Sequence, residues 1–245
     1  MVNARVTRGH NVLITGIGGG VALLAMQLCL ALGARVYVTS GSDAKLARAA
    51  TLGAAGGVNY THGQSVHCAT ARARGAIRSD GEMTFCAGDW PAELKNLLGE
   101  SLLDSVLDSA GGPIAQQVGR VLRPGGRIVL YGMTVAPQAP FTMREVLRNQ
   151  QLIGQMSFLF PSPSSSWTLI LVSFSIYIHL GSTMGSKADL QAATDFIAQH
   201  QITPIVSHVI DGLERAEEGF QLLARGDRIG KIIVRMEPPP TSAKL

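Results

Sequence analysis

Asn11-Val-Leu-Ile-Thr-Gly-Ile-Gly-Gly-Gly-Val-Ala22 is an apolar run that passes through a glycine-rich turn into a stretch of small and helix-forming residues. Val12 to Ile14 read as a buried parallel strand, because a strand covered on both faces is continuously apolar rather than alternating. Gly18, Gly19 and Gly20 admit dihedrals that a side chain forbids, and they let another group approach the backbone closely. Val21 to Leu32 is rich in Ala, Leu and Met. A helix therefore begins just after the turn and directs its positive dipole end and free N–H groups at whatever occupies it. Strand, glycine turn and helix N-terminus in this order form the arrangement that holds a pyrophosphate, so the segment predicts a dinucleotide-binding fold. The literal run Gly16-Ile-Gly18-Gly-Gly-Val21 ends on valine. Shifted by one, Ile17-Gly-Gly19-Gly-Val-Ala22 keeps the central glycine and puts alanine where the helix must pack close to the strand. The bland alternative is a tight strand-to-helix turn with no ligand.

The chain outward from this segment repeats the pattern. Ala34 to Ser40 reads as a second strand, Lys45 to Leu52 as a second helix and Gly57 to Tyr60 as a third strand. Leu102 to Asp108 predicts a fourth strand, Ile114 to Leu122 a helix, and Arg127 to Gly132 a fifth strand after the Pro124-Gly-Gly turn. Helices follow at Lys187 to His200, opened by the capping box Ser186-Lys-Ala-Asp189, and at Leu213 to Arg225, with a last strand at Lys231 to Arg235. Strands alternating with helices predict an α/β fold with a doubly wound parallel sheet. One dinucleotide-binding domain over 1–236 is expected, followed by a disordered tail at 237–245.

Composition agrees with a folded domain. The 245 residues are 46% hydrophobic and 16% charged, enough for a sizeable core. Formal net charge is +4, and the Lys and Arg residues are scattered rather than gathered into a stripe, which argues against nucleic acid as a partner. Cys29, Cys68 and Cys86 make an odd number without a C-x-x-C pair, so no disulfide framework is expected and a cytoplasmic location is the default. Met1 to His10 has no apolar stretch of the kind found in a secretory signal. Trp167 to Leu180 is apolar but interrupted by Ser173, Ser175 and His179, and it is shorter than the roughly 20 residues that span a bilayer. Its β-branched content suits an added strand, and no membrane partner is expected. His62, His67, Cys68 and Cys86 match no zinc spacing, so no metal site is expected.

Several segments in order carry a family resemblance: Val12 to Gly33, Lys45-Leu-Ala-Arg-Ala-Ala-Thr-Leu-Gly-Ala54, Val58-Asn-Tyr60, Val106-Leu-Asp-Ser-Ala-Gly-Gly112, Leu122-Arg-Pro-Gly-Gly-Arg-Ile-Val-Leu-Tyr-Gly132, and Gly181 to Met236. Together they resemble the cofactor-binding half of a medium-chain dehydrogenase/reductase of the zinc-type alcohol dehydrogenase and quinone oxidoreductase kind. The resemblance implies hydride transfer between a nicotinamide cofactor and a carbonyl, quinone or alcohol. Family members carry a substrate domain ahead of this half, which supplies zinc ligands or a proton donor, whereas this chain starts almost on the first strand; catalysis by the chain alone is therefore in question. The family pattern also joins Tyr60 to Asp89-Trp90 and Gly154 to Gly181, so 61–88 and 155–180 are expected to be insertions, and their odd composition resembles translated non-coding sequence. Relatives often pair sheet edges, which implies a homodimer.

Cofactor choice is read at the end of the second strand, where NAD-binding folds place a carboxylate for the ribose hydroxyls. Thr39, Ser40, Gly41 and Ser42 stand there instead, and Asp43 reads as part of the next helix. The quinone-reductase-like resemblance gathers Ser40 or Ser42, Lys45 and Tyr60 around a 2'-phosphate, so NADPH is expected over NADH. The alternative is that Lys45 is a solvated helix residue and Tyr60 merely packs. The same resemblance assigns cofactor contacts to Gly18, Gly19, Gly20 and Val21 at the turn, to Ser109, Gly132, Met133 and Thr134 at the ends of the fourth and fifth strands, and to Ser182 to Ser186 and Gly230-Lys231 near the nicotinamide. Asp108 reads equally as a cofactor contact or as an acceptor for backbone N–H groups.

No side chain reads as a general acid: His10, His200 and His208 are isolated. A short-chain dehydrogenase needs Tyr-x-x-x-Lys, and none of Tyr37, Tyr60, Tyr131 or Tyr177 has it. A methyltransferase shares the glycine turn but not the later helix and strand series. Two readings stay open: an NADP(H)-dependent oxidoreductase acting on a small molecule, and a non-catalytic nucleotide-binding remnant.

Overall fold

A computed structural model of the chain describes residues 2–61, 90–111, 114–132, 153–155, 177–181, 185–226 and 228–236. Strand β1 (Asn11–Ile14) is followed by α1 (Gly20–Ala31), β2 (Arg35–Ser40), α2 (Asp43–Thr51) and β3 (Gly56–Asn59). Next come α3 (Trp90–Leu98), β4 (Leu103–Asp108), α4 (Ile114–Val118), β5 (Leu122–Leu130), β6 (Ile153–Gln155) and β7 (Tyr177–Gly181). The C-terminal segment holds α5 (Lys187–Gln199), β8 (Val206–Asp211), a 3-10 turn at Leu213–Arg215, α6 (Ala216–Arg225) and β9 (Lys231–Arg235).

The first seven strands form one sheet in the order β3-β2-β1-β4-β5-β7-β6, with parallel pairing except where β6 runs antiparallel to β7. Chain order steps outward from β1 to β3 and restarts on the other side of β1 with β4. This reversal is the doubly wound arrangement, and it opens a crevice at the carboxyl ends of β1 and β4. β8 and β9 form a separate parallel pair.

Both faces of β1 are covered, which explains its unbroken apolar sequence. Val12 and Ile14 pack with Leu23, Met26 and Cys29 of α1 and with Val36, Val38 and Val129. Leu13 joins a second cluster with Trp90, Leu94, Leu98, Val106 and Ile128. The buried Trp90, Leu94 and Leu98 recur every fourth residue, which is one face of α3. Each fully buried Leu, Ile or Met contributes about 1.5–3 kcal/mol, so packing rather than propensity holds these elements in place.

Several elements depart from the sequence expectations. The helix expected over Ile114 to Leu122 ends at Val118, and Leu122 opens β5. Leu103 N donates to the Val121 carbonyl at 2.7 Å, and Val121 and Leu122 are buried; Pro124 just beyond lacks the N–H that a helix needs. Tyr177–Gly181, at the end of the second expected insertion, pairs with β5 from Arg127↔Ile178 to Leu130↔Gly181. The added strand thus takes the place beside β5 within the main sheet. β8 and α3 carry no sequence-based expectation. The Ser186 capping box is present, with Asp189 N donating to Ser186 Oγ at 3.1 Å and Ser186 N to Asp189 Oδ2 at 2.9 Å. Residues 62–88 of the first expected insertion and the tail at 237–245 lie outside the described residues. Among the described residues no helix is long and apolar enough to cross a membrane.

Candidate functional site

The glycine turn leaves β1 at Thr15 and enters α1 at Gly20. Two of its glycines need their conformational freedom: Gly16 has φ +66° and Gly18 φ +130°. Gly19 does not, since it is extended at φ −73° and ψ 149°. A Cβ there would also meet nothing within 4 Å. Gly20 is needed for space. A Cβ on it would strike Cε of Lys231, with Cδ at 2.6 Å and Nζ at 2.8 Å. Likewise a Cβ on Gly18 would lie 2.9 Å from Cδ and 3.3 Å from Nζ of Lys45. Two ammonium groups thus lie over the turn, one from α2 and one from β9. Gly19 caps α1 without a side-chain hydrogen bond, and the first turn of α1 holds no acidic residue. The helix end is left as an anion site without an internal anion. Val21 follows within the first turn, 56% exposed.

The C-terminal segment docks on this turn through backbone and side chain. Gly230 N donates to the Gly18 carbonyl at 2.9 Å. Lys45 Nζ donates to the carbonyl of Gly226 at 2.5 Å, the left-handed residue with φ +72° that ends α6. Gln27 Nε2 donates to the Thr203 carbonyl at 2.9 Å.

At the end of β2, Ser40 is buried and its Oγ accepts from Ser42 N at 3.2 Å. Tyr60 N donates to the Ser40 carbonyl at 3.1 Å. The Tyr60 hydroxyl stands 3.1 Å from where a Cβ on Gly41 would be. Ser40, Ser42 and Tyr60 are therefore neighbours at the end of β2, while Lys45 sits over Gly18 and bonds Gly226. Asp43 begins α2, and its Oδ1 accepts from Asn59 Nδ2 at 2.7 Å. That bond ties α2 to β3 and leaves the β2 end with hydroxyls.

The ends of β1 and β4 are joined by a buried network. Thr15 Oγ1 donates to Asp108 Oδ1 at 2.6 Å, Ala110 N donates to the same oxygen at 3.2 Å, and Gly111 N donates to Oδ2 at 2.6 Å. Ser109 N in turn donates to Thr15 Oγ1 at 3.1 Å. Burial raises the Asp108 pKa above the usual carboxylate value, opposed by the Thr15, Gly111 and Ala110 hydrogen bonds. Of the two readings left open for Asp108, the described contacts are those of a backbone acceptor. Ser109 Oγ lies 3.3 Å from where a Cβ on Gly16 would stand, and a Cβ on Gly132 would come within 2.7 Å of the Ser109 carbonyl. Ser109, Gly16 and Gly132 therefore converge at the crevice. Met133, Thr134 and Ser182 to Met184 lie outside the described residues, as do His62, His67, Cys68 and Cys86.

Sequence reasoning gave Gly19 a conformational role that it does not have, and it missed Gly16, whose positive φ the shifted motif frame conceals. It also left Thr15 and Tyr131 unassigned. The three isolated histidines are not part of the crevice. His10 lies 3.9 Å from Asp104 at the amino end of β1, His200 caps α5 with its ring 4.2 Å from that of Phe196, and His208 Nδ1 is 3.1 Å from Ser207 Oγ on β8.

A helix N-terminus facing an uncapped turn, with cations above it and hydroxyls on one flank, is the arrangement of a dinucleotide-binding fold. The sequence signature of the zinc-binding dehydrogenases matches residues 20–199, and the chain belongs to that family. It is 33% identical over 233 residues to the zinc-type alcohol dehydrogenase-like protein YogA of Leptosphaeria maculans, an alignment covering 93% of this chain and 51% of YogA. The chain thus spans about half the length of that relative. A crystal structure of an NAD-dependent alcohol dehydrogenase superposes with a TM-score of 0.64 at 28% identity, over 96% of this chain and 54% of the other. CurA from Vibrio vulnificus in complex with NADPH superposes with a TM-score of 0.59 at 19% identity, over 97% of this chain and 60% of CurA, a likeness of fold alone.

The family name implies zinc, but among the described residues no group of three or more His, Cys, Asp or Glu could hold a metal ion. The described residues therefore do not fit one. They do fit a dinucleotide, because the start of α1 has no side-chain cap and the Lys45 and Lys231 side chains lie over its turn.

Proposed function

We propose that the chain binds NADP(H) across the carboxyl edge of its main sheet and serves a medium-chain oxidoreductase that moves hydride between NADPH and a carbonyl, quinone or alcohol. The observation that carries this reading is the convergence of Lys45 and Lys231 over Gly18 and Gly20 at the uncapped start of α1. The bound cofactor supplies the hydride, and the protein supplies binding and orientation. The N–H groups of Gly19, Gly20 and Val21 hold the pyrophosphate, with Lys231 neutralising it. Ser40, Ser42 and Tyr60 receive the 2'-phosphate with hydroxyls, while Asp43 Oδ1 accepts from Asn59 Nδ2 on β3. Lys45 exchanges the Gly226 carbonyl for that phosphate, since its flexible stem starts in the first turn of α2. Ser109 and Gly132 line the nicotinamide side.

A second reading, a nucleotide-binding module without turnover of its own, is favoured by the lack of a general acid at the crevice among the described residues. Titration with NADPH and NADH, followed by cofactor fluorescence, tests the first part. Lys231→Ala is expected to weaken both cofactors about tenfold, as the loss of one charged hydrogen bond does. Lys45→Ala is expected to weaken NADPH alone by a similar factor. A folded wild-type chain that binds neither cofactor refutes the reading. NADPH binding without oxidation on any carbonyl, quinone or alcohol favours the module.

A further inference from the structure

Tyr131 follows directly on β5 and has its hydroxyl oxygen buried with no hydrogen-bond partner among the described residues. Burial of an unpaired hydroxyl is unfavourable, and each such group in a native fold calls for a cause. Backbone and packing fix its place: Tyr131 N donates to the Asp108 carbonyl at 2.9 Å, and the ring packs against the apolar cluster on the α1 side of the sheet. The phenol therefore lies at the carboxyl ends of β4 and β5, beside Ser109. Burial raises its pKa above the ordinary value. The Ser109 side chain opposes that shift, and the Asp108 charge adds to it. At neutral pH the group is a protonated hydrogen-bond donor.

We propose that Tyr131 donates its phenolic hydrogen bond to the carboxamide carbonyl of the bound nicotinamide and so fixes which way the ring faces. This rests on the NADP(H) reading. A dinucleotide whose pyrophosphate sits on the glycine turn and whose adenosine lies at the β2 end must place its second nucleoside at the ends of β4 and β5. That nucleoside carries a neutral amide oxygen, a strong acceptor that a neutral phenol satisfies without charge. The ligand thus removes the unpaired hydroxyl that the free protein retains.

The test compares Tyr131→Phe with wild type for two ligands, NADPH and 2'-phospho-ADP-ribose, which keeps every part of the cofactor except the nicotinamide. NADPH binding is expected to fall about tenfold while 2'-phospho-ADP-ribose binding stays unchanged. The thermal midpoint of the free variant is expected to equal or exceed that of wild type, because the variant loses an unsatisfied group. Equal weakening of both ligands, or no weakening of NADPH, overturns the inference alone. A folded wild-type chain that binds neither ligand overturns the NADP(H) reading and this inference with it.

Discussion

Three neighbouring glycines, changed one at a time to alanine, should give three different results. Gly18→Ala forces a side chain into φ +130°, a region almost restricted to glycine, and is expected to lower stability by about 1–3 kcal/mol. Gly19→Ala meets open space at an ordinary extended conformation. Its effect is confined to replacing a tolerated N-cap, about 0.5–1 kcal/mol. Gly20→Ala places its Cβ against the Lys231 stem, with Cδ at 2.6 Å and Nζ at 2.8 Å. No positive φ opposes it, and alanine has up to about 1 kcal/mol better helix propensity than glycine. Stability should therefore hold or rise slightly while Lys231 is pushed off the turn. Displacing one charged donor worth about 1.5–3 kcal/mol weakens binding by roughly 10- to 100-fold. Urea unfolding gives the stabilities, and fluorescence titration with NADPH gives the affinities. The reasoning is refuted if Gly20→Ala binds NADPH like wild type, or if Gly19→Ala unfolds as readily as Gly18→Ala.

Asp108, with its raised folded-state pKa, binds its proton more tightly in the folded chain than in the unfolded one. The stability it contributes is fully present below the ordinary aspartate range and is lost as pH rises through the elevated value. Asp108→Asn should lower stability at neutral pH by about 2–3 kcal/mol, because its amide nitrogen faces a donor. The gap to wild type should widen as pH falls through the raised folded-state value toward the ordinary aspartate range; a gap in urea unfolding that narrows or stays constant over that fall would contradict it. Cys29 is fully buried, and burial pushes its thiol up to about 12. Peptide mapping after iodoacetamide treatment near pH 8 should find it unmodified in the native chain and alkylated in urea. Leu94→Ala empties a fully buried site between α3 and the sheet, and a loss of about 2–5 kcal/mol in urea unfolding is expected.

The parts of the fold that are legible in the sequence are those set by local patterns. Val12 to Ile14 announce a strand covered on both sides, and the following glycines announce a helix start with room for an anion. Ser186 and Asp189 reveal their capping box because both partners lie within one turn. Contacts between distant residues are hidden. Lys231 crosses Gly20 from the far end of the chain, brought there by the pairing of Gly230 N with the Gly18 carbonyl and by the other bonds that dock the C-terminal segment. Thr15 and Asp108 lie 93 positions apart and meet because β1 and β4 are neighbours in the sheet. Lys45 was legible as a cation beside the end of β2, but its place over Gly18 was not, and its bond to Gly226 depends on how α6 ends. β8 escaped notice because Val206 and Val209 are exposed and Ser207 and His208 interrupt its apolar pattern. Pro124 and the glycines after it hid the early start of β5, which includes them.

The most direct test of the account is the ratio of dissociation constants for NADPH and NADH on the unmodified chain at physiological salt. A glycine turn flanked by Lys45 and Lys231, with hydroxyls and no free carboxylate at the β2 end, predicts that NADPH binds at least tenfold more tightly. Equal affinities, or a preference for NADH, would contradict the assignment of Ser40, Ser42, Lys45 and Tyr60 to a 2'-phosphate.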